Sequence, residues 1–374
     1  MRNRGSWLLL LLISFVTIPN ANAQTPAASD NTPALRVAMA GLVHGHAGGF
    51  FHQIKNRQDI QIVGIAEADR ELFARYAKDN SLDQNLWHAD LDEMLQATHP
   101  QAVVVYTNTY DHRRVVEICA KRGVPVMMEK PLAVSTEDAR AIESAAHAGH
   151  IPVLVNYVTT WYRSNRAAYD VVRQNAIGDI RKVVVRSGHR GPKEIGVSQE
   201  FLSWLTDPKL NGGGALYDFG CYGADLTTWF MGDARPSSVT AVTQELKPDV
   251  YPKVDDDATI IVTYPKAQAV LQPSWNWPFD RQDVEIYGQT GYVLTNPHHD
   301  SVRVRTAGKQ EEQQDAPVLP APYNDSITYL RAVVLSGLKP EGPSSLETNV
   351  IAAEILDAAR RSAATGKTIR LDEK

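Results

Sequence analysis

The sequence predicts an α/β fold in two parts, a doubly wound parallel sheet over residues 35–155 and an α+β unit over residues 156–374 built on a large, open, mostly antiparallel sheet. Three observations predict it. From Leu35 to about residue 155, short apolar runs ended by turn or acidic residues alternate with helical stretches. Beyond that point, longer strand-like segments follow one another with few helices between them. The chain of 374 residues, 43% hydrophobic and 22% charged, is long enough for two cores, and its composition excludes disordered and fibrous classes.

At the start, Arg2 and Arg4 precede an apolar run, Trp7 to Val16, and then a polar break with Ala21-Asn22-Ala23. Residues 1–23 therefore read as a secretory signal cleaved before Gln24, and the mature protein is expected in the periplasm or outside the cell. The run is too short to span a bilayer. It carries two arginines and no acid, so its removal takes the formal charge from -5 to -7, a balance that attracts neither nucleic acid nor an anionic membrane. Residues 24–34, "QTPAASDNTPA", are a linker of small residues and proline without apolar period.

The first strand, "LRVAMAG", runs into the turn "LVHGHAGG", and "IQIVGIAEA", "QAVVVYT" and "VPVMMEK" repeat the type. Between the last two, "DHRRVVEICAKRG" places Val115, Val116 and Cys119 on one helical face, with Gly123 as the C-terminal cap. In the second part, strands are expected in "IRKVVVRSGHRG", "SVTAVTQELKP", "DATIIVTYP", "QAVLQPSWNWP" and "DVEIYGQTGYVLT". One helix follows Gly220, and the last carries a Ser344-x-x-Glu347 capping box and ends at Gly366. Cys119 and Cys221, the only cysteines, are expected to be free and buried.

The turn after the first strand admits two readings. As a dinucleotide fingerprint it keeps only Gly41 in register, with Val43 and His46 in the other glycine places. Gly45, Gly48 and Gly49 still allow a helix start to approach a phosphate. Glu67 ends the second strand where a carboxylate would accept from both ribose hydroxyls and favour NAD over NADP. As a metal site, His44 and His46 need further ligands. A metal-binding barrel would also need eight strand–helix units, so no metal is expected. His298 and His299, in the turn "TNPHHD", are expected to be exposed.

Two later segments decide between these readings. "MMEKPLAV" places Lys130 at the carboxyl edge of the parallel sheet, where such sheets bind ligands. "GGGALYDFGCYGADLTTWF" sets Asp218, Tyr222 and Asp225 behind a glycine run. Together, Glu129-Lys130-Pro131 and Asp218-x-Gly220-x-Tyr222-x-x-Asp225 resemble the paired motifs of the oxidoreductase family named for glucose-fructose oxidoreductase, inositol dehydrogenase and a rhizopine-catabolism protein. "YTNTYDHRRV" and the closing "GKTIRL" extend the resemblance along nearly all of the mature chain. It implies a Rossmann domain that binds NAD, which export away from the cytoplasmic supply would require to be held tightly, and a second domain that often mediates homo-oligomer formation. It also implies hydride chemistry on the secondary hydroxyl or ketone of a sugar, glycoside or polyol. Tyr222 replaces the histidine more common in the motif.

On that reading Lys130 and Tyr222 form an acid/base pair, the ammonium lowering the phenol's pKa, and Asp218 orients the tyrosine or binds a neighbouring sugar hydroxyl. Gly41, Val43, His44, Gly45, His46, Glu67, Thr107, Asn108, His112, Glu129 and Lys130 are the expected cofactor contacts. Trp161, Tyr162, Arg163, His189, Asp225 and Trp275 are the expected substrate contacts, with Asn276 and Trp277 as further candidates. Two other functions fit the same motifs: glycoside cleavage by transient oxidation and elimination, and sugar binding without catalysis.

Overall fold

The computed structural model describes residues 33–371; the signal and most of the linker lie outside the described residues. From Ala34 on, the described residues form one compact unit that holds two sheets. Among the described residues no helix is long and apolar enough to cross a membrane.

The first sheet has six parallel strands in the order β3-β2-β1-β4-β5-β6. These are β1 (Leu35–Ala40), β2 (Ile60–Ala66), β3 (Trp87–His88), β4 (Ala102–Val105), β5 (Val126–Glu129) and β6 (Val153–Asn156). The expected strands are all present; β3 and β6 are additional, and β6 runs one residue past the expected boundary at 155. Strands β1, β4 and β5 are buried almost throughout because helices cover both faces. Those helices are α1 (His46–Ile54), α2 (Arg70–Asn80), α3 (Leu91–Thr98), α4 (His112–Lys121) and α5 (Thr136–Gly149). Asp69, Asp90 and Ser135 cap α2, α3 and α5 through their side chains. Chain order reverses between β1 and β4, the switch point at which doubly wound sheets open a crevice.

The second sheet has nine strands in the order β14-β13-β12-β11-β7-β10-β9-β8-β15. After α6 (Arg163–Arg173) and β7 (Ile180–Gly188), four helices intervene: α7 (Gln199–Leu205), α8 (Pro208–Asn211), α9 (Ala215–Asp218) and α10 (Gly220–Phe230). Then come β8 (Ser238–Gln244), β9 (Asp257–Thr263), β10 (Gln268–Ser274), β11 (Arg281–Gly288), β12 (Gly291–Asn296), β13 (Ser301–Thr306) and β14 (Glu312–Asp315). All pairings are antiparallel except β7 with β10. Its strands alternate buried and half-exposed residues, as in β9, because helices cover only one face. Helix α10 is buried along its whole length against that covered face, which fixes where Tyr222 and Asp225 point.

Two details depart from the sequence reading. Helix α11 (Ser326–Ser336) returns to the first sheet, and Ile327, Leu330 and Val333 join its core with Leu35, Val37 and Phe73. The last helix, α12 (Leu346–Thr365), is capped by Ser345, whose hydroxyl accepts from the Thr348 amide, rather than by Ser344; Gly366 ends it at φ +65° as expected. Short strand β15 (Ile369–Arg370) closes the sheet edge beside β8. Cys119 and Cys221 are free and buried, and burial pushes each thiol up to about 12.

Candidate active site

A cleft of about 970 Å³ opens where the carboxyl edge of the first sheet faces the covered side of the second. Strand β5 ends at Glu129, so Lys130 emerges at this edge, and the cis Lys130–Pro131 bond follows it. His112 holds the next turn: its Nδ1 donates to the carbonyls of Pro131 and Leu132 at 3.1 and 3.2 Å. Burial drops the His112 imidazole to about 4, so it is neutral.

Lys130 Nζ donates to Asp218 Oδ1 at 2.5 Å and to the Asp218 carbonyl at 3.0 Å. Trp275 Nε1 donates to the other carboxylate oxygen, Oδ2, at 2.9 Å. Burial works against both charges, but each offsets the other's penalty: the amine lies above its ordinary range and the carboxylate below. Tyr222 lies beside this pair on the cleft wall, its ring centroid 5.1 Å from Lys130 Nζ. Burial raises the Tyr222 phenol, and Lys130 reverses only part of that rise. Here the structure corrects the expectation of a lowered phenol: the ammonium is committed to Asp218, and desolvation outweighs what attraction remains.

Across the cleft, His189 leaves the end of β7 with Nδ1 accepting from the Gly191 amide at 2.9 Å, so the neutral ring carries its proton on Nε2. Burial lowers its pKa, against the pull of Asp218. Trp161 and Tyr162 line the cleft too, and Tyr162 donates to Gln282 Oε1 at 2.6 Å.

Three expected substrate contacts lie elsewhere. Trp275 is wholly buried behind Asp218 and orients it. Arg163 turns to Asp300, 3.4 Å away. Asp225 is wholly buried in α10 with both carboxylate oxygens unpartnered, and burial pushes its pKa far up, so it is a neutral acid inside the core. Asn276 is tied to Asp256, and Trp277 stacks under Arg281. The sequence reading missed Asn156, Phe201, Asp280 and Gln282 on the cleft wall. The polar residue ending "VLVN" and the charged run "FDRQD" that leads into β11 were the available signals.

The turn between β1 and α1 borders the same cleft. Gly41 has φ +78°, and a Cβ there would meet Thr107 Cγ2 at 2.7 Å, so glycine is required. Gly45 seats the Phe201 ring, which a Cβ would meet at 2.8 Å. Much of the turn is satisfied within the protein. The amides of Leu42, His44, His46 and Ala47 donate to Glu67 Oε2, the Tyr106 carbonyl, His44 Nδ1 and the His44 carbonyl. Glu67 gives its other oxygen, Oε1, to the Asp69 amide at 2.9 Å. Its carboxylate therefore braces the turn, and burial raises its pKa. His44 is buried against Phe201 and Trp204, and Trp204 Nε1 donates to the Val43 carbonyl. Asn108 caps the turn before α4, and Thr107 donates to the Asn108 carbonyl. Gly45, His46, Glu129 and Lys130 line the cleft, whereas His44, Glu67 and His112 are buried and Val43, Thr107 and Asn108 are half-exposed beside the turn.

Two sheets meeting at a switch-point crevice, with an amine, a carboxylate and a phenol gathered at its floor, define an oxidoreductase of the dinucleotide-dependent kind. The crevice fits the reactive end of such a cofactor: an open cleft floored by buried polar side chains, with the start of α1 on its wall.

Residues 35–157 match the oxidoreductase family model with an NAD-binding Rossmann fold, and residues 165–294 match the C-terminal domain model of the same GFO/IDH/MocA family. The two matches cover more than half of the chain, which belongs to that family and is an NAD-dependent oxidoreductase. Among curated relatives, trans-1,2-dihydrobenzene-1,2-diol dehydrogenase of Xenopus tropicalis is 26% identical over 313 residues, 80% of this chain and 89% of that protein. The human protein of the same name is 25% identical over 334 residues, 85% and 92% of the two chains. Among solved structures, the aldose-aldose oxidoreductase from Caulobacter crescentus superposes with a TM-score of 0.76 at 21% identity, covering 90% of this chain and all of that one. An inositol dehydrogenase homolog from Azotobacter vinelandii, complexed with NAD+, gives 0.76 at 18% identity, covering 90% and 97%. At these identities the structures speak for the fold.

Proposed function

We propose that this chain interconverts a secondary alcohol and a ketone on a sugar, glycoside or polyol, with Lys130 and Tyr222 handling the proton. One observation carries the reading: Lys130, fixed by Asp218, and Tyr222, reached from the other sheet, share the floor of one cleft. NAD, when bound, supplies the hydride acceptor or donor. His46, Gly45, Glu129 and Lys130 are the residues on the wall that would hold its reactive end.

The protein's own part is proton management. Tyr222, a phenol kept protonated by burial, donates to the substrate oxygen as a carbonyl is reduced. In the opposite direction it must give up that proton first, and the adjacent ammonium stabilises the phenolate. Asp218 and Trp275 act as positioning residues that hold the amine in place. His189 Nε2 offers a neutral donor to a neighbouring hydroxyl, and Trp161 and Tyr162 supply a flat apolar wall for a sugar ring. The diol, aldose and inositol substrates named for the relatives support this substrate class.

We also assign residues 1–23 to export, which requires NAD to stay bound after folding, and self-association to the half-exposed face of the second sheet. Purified mature protein should release dinucleotide on denaturation and, given a panel of polyols, aldoses and glycosides, form ketone with NADH. Absence of both released and added dinucleotide binding would overturn the proposal. Glycosidic cleavage without net redox change would replace it with the elimination route.

A further inference from the structure

We propose that Asp280 selects the substrate by its charge: an uncharged or amine-bearing sugar or polyol is accepted, and a sugar acid is refused. The inference rests on the alcohol–ketone reading for its placement of the substrate in this cleft. The sheet itself brings Asp280 there. Arg281, the first residue of β11, pairs with Gly188, and the Trp277 amide donates to the His189 carbonyl at 3.2 Å, so the chain entering β11 runs alongside His189. Val284 and Ile286 are wholly buried on the covered face, and the period of two along a strand puts Gln282 and Asp280 on that same side. Both line the cleft with His189 and Tyr162. Arg281 belongs to the opposite set, and its Nε and Nη2 donate to the two carboxylate oxygens of Asp283 at 2.8 and 2.9 Å.

The charges on the wall then decide the sign. Lys130 is answered by Asp218, Arg281 by Asp283, Asp325 by Arg57, and Glu129 gives its two oxygens to His46 and Asn156. Asp280 alone among these has neither a hydrogen bond nor an ion pair among the described residues. His189 does not offset it, because burial lowers that imidazole's pKa and the neutral ring carries its proton on Nε2. The recess beside His189 thus presents one neutral donor and one unanswered carboxylate. A substrate hydroxyl can accept from the first while its neighbour donates to the second, and an ammonium donates to Asp280 with charge assistance. A substrate carboxylate meets like charge in a cleft already partly stripped of water, which is the repulsive element that specificity requires.

The test uses the full mature chain loaded with NAD and three probes on one ring, glucosamine, glucose and glucuronate, with binding read by ligand-observed NMR and turnover by NADH absorbance. The parent should bind them in that order, each step about fivefold or more. Asp280→Asn should shrink the glucosamine-to-glucuronate ratio roughly tenfold, and Asp280→Lys should reverse the order. Both variants should melt as the parent does, since Asp280 holds nothing in the fold. Glucuronate bound by the parent as tightly as glucosamine, a ratio unmoved in Asp280→Asn, or a preference for glucuronate that disappears in Arg281→Ala would overturn the proposal. The two readings fail separately: charge-selective binding without any NADH would sink the hydride chemistry and leave Asp280 its role, whereas NADH formed from all three probes without regard to charge would sink the role of Asp280 alone.

Discussion

The two ends of the crevice are built from the same kinds of residue and use them in opposite ways. At the floor, Lys130 from the edge of the first sheet meets Asp218 and Tyr222 from helices packed on the second, and they leave polar atoms on the cleft wall. At the β1–α1 turn, Glu67, His44 and four backbone amides are bonded to one another, so most of the polar capacity is consumed inside the protein. A buried carboxylate can therefore anchor an amine in one place and brace a turn in another. What separates them is the partner: a side-chain amine at the floor, backbone amides at the turn.

That contrast can be broken by substitution. Lys130→Met should lower the hydride step by roughly two to four orders of magnitude in single-turnover NADH absorbance. It should also destabilise the fold, because Asp218 is left buried without its ion partner, by about 3–5 kcal/mol in denaturant titration. An unchanged rate would remove the floor from the chemistry. Tyr222→Phe should cost about two orders, the lower end of the same range. Because burial raises the phenol, ketone reduction by the parent should hold level through neutral pH and fall only in strong alkali, while alcohol oxidation climbs as pH rises. A Tyr222→Phe profile matching the parent's would assign the proton elsewhere.

Stability against acid sharpens the comparison behind the wall. The unfolded His112 imidazole takes its proton near 6.5, whereas the folded one refuses it until about 4. The unfolded state thus binds more protons across that window, and stability should fall as pH drops from 6.5 to 4, by on the order of 3 kcal/mol from this residue. Burial lowers His44 in the same sense. His112→Asn should flatten the melting temperature over this interval; an equally steep curve would contradict the burial.

The smallest effects belong to the turn. Glu67→Gln keeps the shape but offers one acceptor oxygen to two amides, so about 1–3 kcal/mol of stability should be lost, with little change in NAD preference over NADP. A large change in cofactor preference with no loss of stability would show that the turn faces ligand after all. Arg163→Ala, which removes a surface pair with Asp300, should shift stability by less than about 1 kcal/mol and leave kcat/KM alone.

Much of this was legible in one dimension. Apolar runs four to seven residues long, separated by helical stretches, determined the parallel sheet, because a strand covered on both faces has no polar side to show. The longer strands of the second half, with their alternating faces, marked the open sheet. Glu129-Lys130-Pro131 at the end of β5 marked the cleft floor, since a strand's carboxyl end is where a doubly wound sheet opens.

Tertiary structure alone decided which polar residues face ligand and which face protein. Asp218 and Asp225 differ by two turns of chain, yet one meets an ammionium partner at the cleft and the other lies neutral in the core. Trp275 and Trp161 look alike as strand-end aromatics, but only Trp161 reaches the wall. Glu129 meets His46 across 83 residues of chain. The reason is physical: periodicity records whether a side chain is buried, while the partner that satisfies a buried charge comes from distant chain and exists only once the sheets have packed.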